Sequence, residues 1–210
     1  MPFTRILFLL ILLVSLCHDT AADSICETPI HYEVIKDDNL QEGFLWMGGD
    51  KRHAIYVRGD DFIIEFKRKH ELFLIDGNTY SNKQDGEVYI DSVALRNVVD
   101  NEEKELLVYY STFAFSTQGG AKSRHLLILD IHRWRTIINI GLYDSKFFKD
   151  ENGKEQELVY QADIFITHNH IKIEAEEDAD TDLAANELDS GIYRRRGHCY
   201  VLQPHHHFRP

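Results

Sequence analysis

Apolar residues in this chain come in short runs, broken about every 8–15 residues by turn signals, and that rhythm favours strands over helices. His53 to Val57 and Phe62 to Phe66 flank Gly59-Asp60-Asp61, the pattern of a hairpin. Glu71 to Ile75 runs into Asp76-Gly77-Asn78, and Val88 to Leu95 follows Asp85-Gly86. Gly119-Gly120, Asn152-Gly153, His168-Asn169 and Arg196-Gly197 supply the later turns. Leu106 to Phe115 and Leu126 to Ile131 are apolar on both faces, which marks central strands with cover on both sides. Thr136 to Leu142 continues the pattern, and Leu158 to Ile166 alternates with Leu158, Tyr160, Ala162, Ile164 and Ile166 on one face. The expectation is an all-β fold of antiparallel sheets: a sandwich, a barrel or a propeller-like stack of hairpins. One short helix is expected over Asp178 to Leu188, where Leu183, Ala184 and Leu188 form a narrow stripe. No low-complexity linker divides the chain, so residues 23–204 read as one domain followed by a His-rich tail, 205–210.

The start of the chain has a different character. Arg5 precedes an apolar run from Ile6 to Leu16, and Thr20-Ala21-Ala22 offers a small-residue exit, the layout of a signal peptide over residues 1–22. The run is too short to span a bilayer, and no later stretch approaches the roughly 20 apolar residues that a membrane helix needs. Val14-Ser15-Leu16-Cys17 has the outline of a lipoprotein box, with Leu16 where a small residue is expected, so acylation at Cys17 is the alternative to simple cleavage. Either way Cys26 and Cys199 remain as an even pair, and an oxidising compartment makes them a disulfide candidate. That bond requires the chain ends to meet, with Cys26 just ahead of a first strand, Tyr32 to Ile35, and Cys199 in a terminal hairpin built on Arg195-Arg196-Gly197. A net charge of −12 argues against nucleic acid and against anionic membrane surfaces, and favours a basic partner.

The stretch Ile90-Asp91-Ser92-Val93-Ala94-Leu95-Arg96-Asn97-Val98-Val99-Asp100-Asn101-Glu102-Glu103-Lys104-Glu105-Leu106-Leu107-Val108 resembles one repeat of the FG-GAP or VCBS type found in exported β-propellers. The resemblance covers about 20 residues and implies a strand, an acidic turn and a second strand. Family turns of the D-x-D-x-D-G kind hold Ca²⁺. Here Asp100-Asn101-Glu102-Glu103-Lys104 lacks the glycine and carries a lysine, so the shape is expected without the calcium.

Candidate chemistry is sparse. His168 and His170 are two apart, a spacing that puts both imidazoles on one strand face, where Asp163 or Glu174 would complete a transition-metal site. His205-His206-His207 reads as a flexible, weakly metal-binding tail. The run holding Glu174, Glu176, Glu177, Asp178, Asp180 and Asp182 is a solvated acidic loop or a docking surface, and Arg194-Arg195-Arg196 offers it opposite charge. No G-x-S-x-G, H-E-x-x-H, P-loop or dinucleotide fingerprint is present, and no catalytic residue or cofactor is assigned. A carboxylate pair assembled only by the fold would escape such motifs. Phe44, Trp46, Tyr109, Tyr110, Phe113, Phe115 and Trp134 are core, or else stacking anchors for a glycan or protein on an open face. The leading expectation is an exported, periplasmic or secreted, non-catalytic binding or inhibitor-type protein of a bacterial envelope, its partner a basic protein or a small ligand. A histidine-based metal-handling protein and a cryptic carboxylate hydrolase are the alternatives.

Overall fold

The computed structural model describes residues 24–36, 43–81, 86–98, 103–116, 119–150, 152–167, 170–175 and 191–203. These form two antiparallel sheets and no helix beyond a 3₁₀ turn at Gly77–Thr79. The short sheet has the order β3 (Glu33–Ile35), β7 (Glu71–Ile75), β6 (Asp61–Phe66), β5 (His53–Arg58), β4 (Leu45–Gly49). The long sheet runs β1 (Ser24–Cys26), β15 (Cys199–Leu202), β14 (Gly191–Arg196), β13 (His170–Ala175), β12 (Glu155–Thr167), β11 (Arg135–Lys149), β10 (Gly119–Asp130), β9 (Glu105–Ser116), β8 (Glu87–Arg96). A two-residue strand, β2 (Thr28–Pro29), also pairs with the start of β11.

The double-sided apolar pattern of β9 and β10 is what organises this. Leu106, Val108, Tyr110, Leu127 and Leu129 join Ile55, Phe62, Ile64 and Ile75 of the short sheet in one core. Their sequence neighbours Leu107, Leu126 and Ile128 face the other way, into a second core with Ile171, Ile173, Tyr193 and Tyr200. The second core forms because β12 changes partner along its length. Its first half pairs with β11 (Tyr143↔Gln161 to Lys149↔Glu155) and its second half with β13 (Ala162↔Ala175 to Thr167↔His170). The wing β12–β15 with β1 therefore folds over β9–β11, closed by the one-face stripe of Tyr160, Ala162, Ile164 and Ile166. Fully burying a Leu or Ile stabilises by about 1.5–3 kcal/mol, so truncating Leu127 or Ile128 to alanine costs about 2–5 kcal/mol.

Two local readings change. Gly119-Gly120 is not a turn but the start of β10, seven residues ahead of the apolar run at Leu126. This small and polar stretch is extended because it is paired on both edges, with Ser116 to Ser111 on β9 and with Phe148 to Tyr143 on β11. Tertiary pairing overrides a composition with little strand preference. Cys26 does not precede the first strand; it lies in one, β1, laid against β15. The expected helix over 178–188, the acidic residues from Glu176 onward, the turn Asp100-Asn101-Glu102, Cys17 and the 205–210 tail lie outside the described residues. The strands β8 and β9 on either side of that turn pair as a hairpin from Glu87↔Phe113 to Arg96↔Glu105.

Candidate functional site

Beyond their buried segments, β8–β12 run on to an end of the long sheet whose outer face is open. Cross-strand register fixes what that face displays. Glu87, Phe113, Lys122, Ser145 and Val159 form one row, and Phe115, Gly120, Phe147 and Glu157 the next. Tyr89 stands in the row before, opposite Ser111. The rings adjoin one another: Tyr89 to Phe113 at 6.0 Å between centroids, Phe113 to Phe115 at 6.4 Å, Phe115 to Phe147 at 6.3 Å. Lys122 sits over Phe113 at 5.4 Å, a cation–π contact. Phe115 is 74% exposed and Tyr89 47%, so the array is largely in water.

Gly120 is needed for this arrangement. A β-carbon there would lie 2.4 Å from Cζ of Phe147 and 2.9 Å from the Ala114 carbonyl oxygen. Phe147 therefore lies flat over bare backbone, beside a shallow cleft of about 360 Å³ lined by Phe115, Gly119, Gly120, Lys146 and Phe148. An aromatic ring laid over a strand glycine fixes register while leaving its own far side available. Glu87 begins one row and Glu157 ends the other, Lys122 and Lys146 stand among the rings, and Glu87 accepts a hydrogen bond from the Tyr89 hydroxyl.

The opposite end of the β10–β11 hairpin is a closed charge network. Cys26 and Cys199 are bonded, S–S 2.06 Å, in direct register across β1 and β15. The next residue, Glu27, has a fully buried carboxylate. Arg195 Nη2 donates to it at 2.8 Å and His198 Nδ1 at 3.1 Å, with Arg133 Nη1 at 3.6 Å and Arg135 Nη1 at 3.8 Å. Arg133 is shared with Asp130, which also accepts from the backbone N–H of His132 and Arg133. Burial alone would raise the Asp130 carboxyl, but these donors and the guanidinium hold it below its ordinary 3.8. Buried Glu105 accepts from the Val98 N–H at 2.7 Å. Among the buried acids, Glu27, Glu105 and Asp130 are all engaged within the fold.

A third polar feature is a cleft of about 390 Å³ lined by Asp50, Arg52, His53, Glu103, Lys104 and His132. Asp50 Oδ1 accepts from the backbone N–H of Arg52 and His53 and lies 3.2 Å from His53 Nδ1, while Lys104 Nζ meets Oδ2 at 3.1 Å. Burial opposes the charge on Asp50, yet these donors hold its carboxyl well below the usual carboxylate range. Desolvation lowers His53 in spite of Asp50, which keeps the imidazole neutral. An aspartate orienting a neutral histidine is half of a nucleophile-activating device, but among the described residues no hydroxyl or thiol lines this cleft. The pair caps the turn between β4 and β5.

His170 lies at the start of β13 opposite Thr167, whose hydroxyl is 2.8 Å from Nδ1. Asp163 and Glu174 face each other four residues further along the strands, roughly 13 Å away, so the fold does not gather His170 with either acid. Glu174 is paired with Lys172. His168 lies outside the described residues, and among the described residues no group of three His, Cys, Asp or Glu side chains is placed to hold a metal ion. The aromatic set divides. Tyr110 and Phe44 are buried, and Trp134 is stacked between Tyr32 and Phe73 at 4.2 and 4.6 Å. Phe113 and Phe115 stand at the open end, and Trp46, on the edge strand β4, is 66% exposed. Sequence reasoning missed Tyr89 and Phe147, which join the array only through register, and Glu27, whose partners come from two distant segments. Comparison of the chain with family models, with curated proteins and with solved structures finds no match in any of the three.

Proposed function

We propose that this is an exported, non-catalytic binding protein of the bacterial envelope, an accessory or inhibitor-type factor that holds a basic polypeptide on the open aromatic end of its long sheet. The observation that supports this is the contiguous array of Tyr89, Phe113, Phe115 and Phe147 on one exposed face. Clustered exposed aromatics with a polar rim are the composition of an interface core rather than of ordinary surface. Phenylalanine dominates, and its ring carries no polar handle for sugar hydroxyls, so a polypeptide fits better than a glycan. Glu87 and Glu157 beside the rings, on a chain of net charge −12, support a partner that presents apolar anchors among basic residues, with Lys122 and Lys146 left to meet its fewer acids. The disulfide fits an oxidising compartment.

The test is site-specific photocrosslinking in the producing cell, with p-benzoylphenylalanine at position 115 and, for comparison, at Lys154 in the β11–β12 turn. Position 115 is expected to give a discrete protein adduct that Phe147→Ser abolishes. Equal labelling from both positions, or none from 115, removes the reading.

A further inference from the structure

The apolar stripe of β12 is covered along only part of its length. Tyr160 and Ala162 are buried, at 7% and 4% exposure, whereas Ile164 and Ile166 on the same face stay half-buried. The cause is the strand's change of partner. β12 leaves β11 after Gln161, and beyond that pair its apolar face stands across a cleft from β9 and β10. The cleft has a volume of about 530 Å³, with Leu107, Tyr109 and Leu126 on one side and Ile164 and Ile166 on the other. Sites for small ligands run from roughly 300 to 1,000 Å³ and have mostly apolar walls with a few polar groups.

A single charge borders these walls. Arg96, the last residue of β8, lines the cleft and is exposed, and among the described residues no carboxylate lies within ion-pair distance of it. Glu105, its partner in register, is buried and accepts from the Val98 N–H. Among the described residues no acid lines the cleft. From the row of Arg96 and Glu105 to the row of Ser92 and Tyr109 is four residues of strand, roughly 13 Å, so the apolar walls lead away from one cation. That layout selects a ligand with one anionic end and one apolar chain. The planar guanidinium donates two parallel N–H groups, which match a carboxylate. The net charge of −12 bears on this only weakly, because at physiological ionic strength exposed charges more than about 8 Å away are largely screened.

We propose that this cleft binds a monocarboxylate of the fatty-acid type, its carboxylate on Arg96 and its alkyl chain between Tyr109, Leu126 and the wall formed by Ile164 and Ile166. The site is separate from the aromatic array and goes beyond the partner reading without depending on it. Affinity comes from burying methylenes, each of which strengthens binding about fourfold, and orientation comes from the one guanidinium.

Isothermal titration calorimetry of the whole protein tests it, with sodium decanoate as the probe and about 0.15 M salt, where exposed charges act over about 8 Å. Decanoate is expected to bind at one site. Octanoate, two methylenes shorter, should bind about 15-fold more weakly, and decanol, which lacks the charge, about fivefold more weakly. Arg96→Gln should bring decanoate to the level of decanol and leave decanol as it was. Ile166→Trp, which fills the cleft, should abolish binding of both. If that variant does not keep the parent's urea midpoint, the Arg96→Gln comparison decides. The proposal is overturned if decanoate does not bind, if decyltrimethylammonium binds as tightly, or if Arg96→Gln or a folded Ile166→Trp binds decanoate like the parent. Loss of decanoate binding in Phe115→Ser overturns it as well, because the ligand would then sit on the aromatic array.

Discussion

The two ends of the β10–β11 hairpin solve opposite problems. At Asp130 to Arg135 the first and last described strands meet, and the structure is tied there by a disulfide, an added strand and a carboxylate approached by three guanidinium groups and the His198 ring. Trp134 sits there at φ +54, in the left-handed region, held by its stack with Tyr32 and Phe73. At Gly119 and Phe148 the same two strands have no cross-link among the described residues, and Phe147 of β11 and Phe115 of the neighbouring β9 carry their rings into water. Little stability is gained from a phenylalanine that is 74% exposed. The tied end holds the first and last described strands together, while the open end holds aromatic surface that the fold itself does not require.

The largest effect should come from untying the closed end. Cys26→Ser/Cys199→Ser releases a loop of 173 residues, for which chain entropy alone gives about 5 kcal/mol, and urea unfolding should register a loss of that order. Glu27→Gln comes next. It leaves Arg133, Arg135 and Arg195, all partly exposed, facing a neutral amide, and losing hydrogen bonds to a charged group costs about 1.5–3 kcal/mol. If both variants unfold at the parent's urea midpoint, the tied end is not what holds the molecule together.

How much of this the residues reveal differs between the ends for a physical reason. Strand identity in β5, β6, β7 and β9 is local, written in alternation and turn residues, and so is the double-sided burial of Leu106 to Tyr110. The disulfide follows from cysteine parity and compartment. What sequence does not carry is register. Phe147 reaches Phe115 only because Gly120 pairs with both, and the β10 segment from Gly119 to His125 has too few apolar residues to announce a strand. Glu27 has the same difficulty: a glutamate beside a cysteine looks solvated until β14 and the β10–β11 turn bring arginines around it.

A pH titration places the boundary between the two ends. Burial lowers His125, which stacks on Tyr110 at 4.7 Å where the buried and open parts of β10 join, and burial likewise lowers His53. Because the folded values lie below 6.5, the unfolded chain binds protons first as the pH falls. Stability is therefore level above about pH 6.5 and declines below it. Asp50 and Asp130, held below 3.8, add a second decline beneath about pH 4. Melting temperature should fall in these two steps, and His125→Gln should shrink the first. In hydrogen exchange the first step should loosen β9 and β10 near Phe113 and Lys122 before it reaches β1 and β15.

The smallest expected effect is the most discriminating. Phe115→Ser removes the most exposed ring of the array, whose contacts are with Phe113 and Phe147 rather than with either core. Its cost to folding should stay within about 0.5 kcal/mol, since surface substitutions away from caps, cores and buried charges rarely exceed that. Loss of partner capture without loss of stability would assign the open end to recognition. A drop of about 2 kcal/mol in the same urea titration would assign Phe115 to structural packing instead, and the contrast between the ends would then be one of degree.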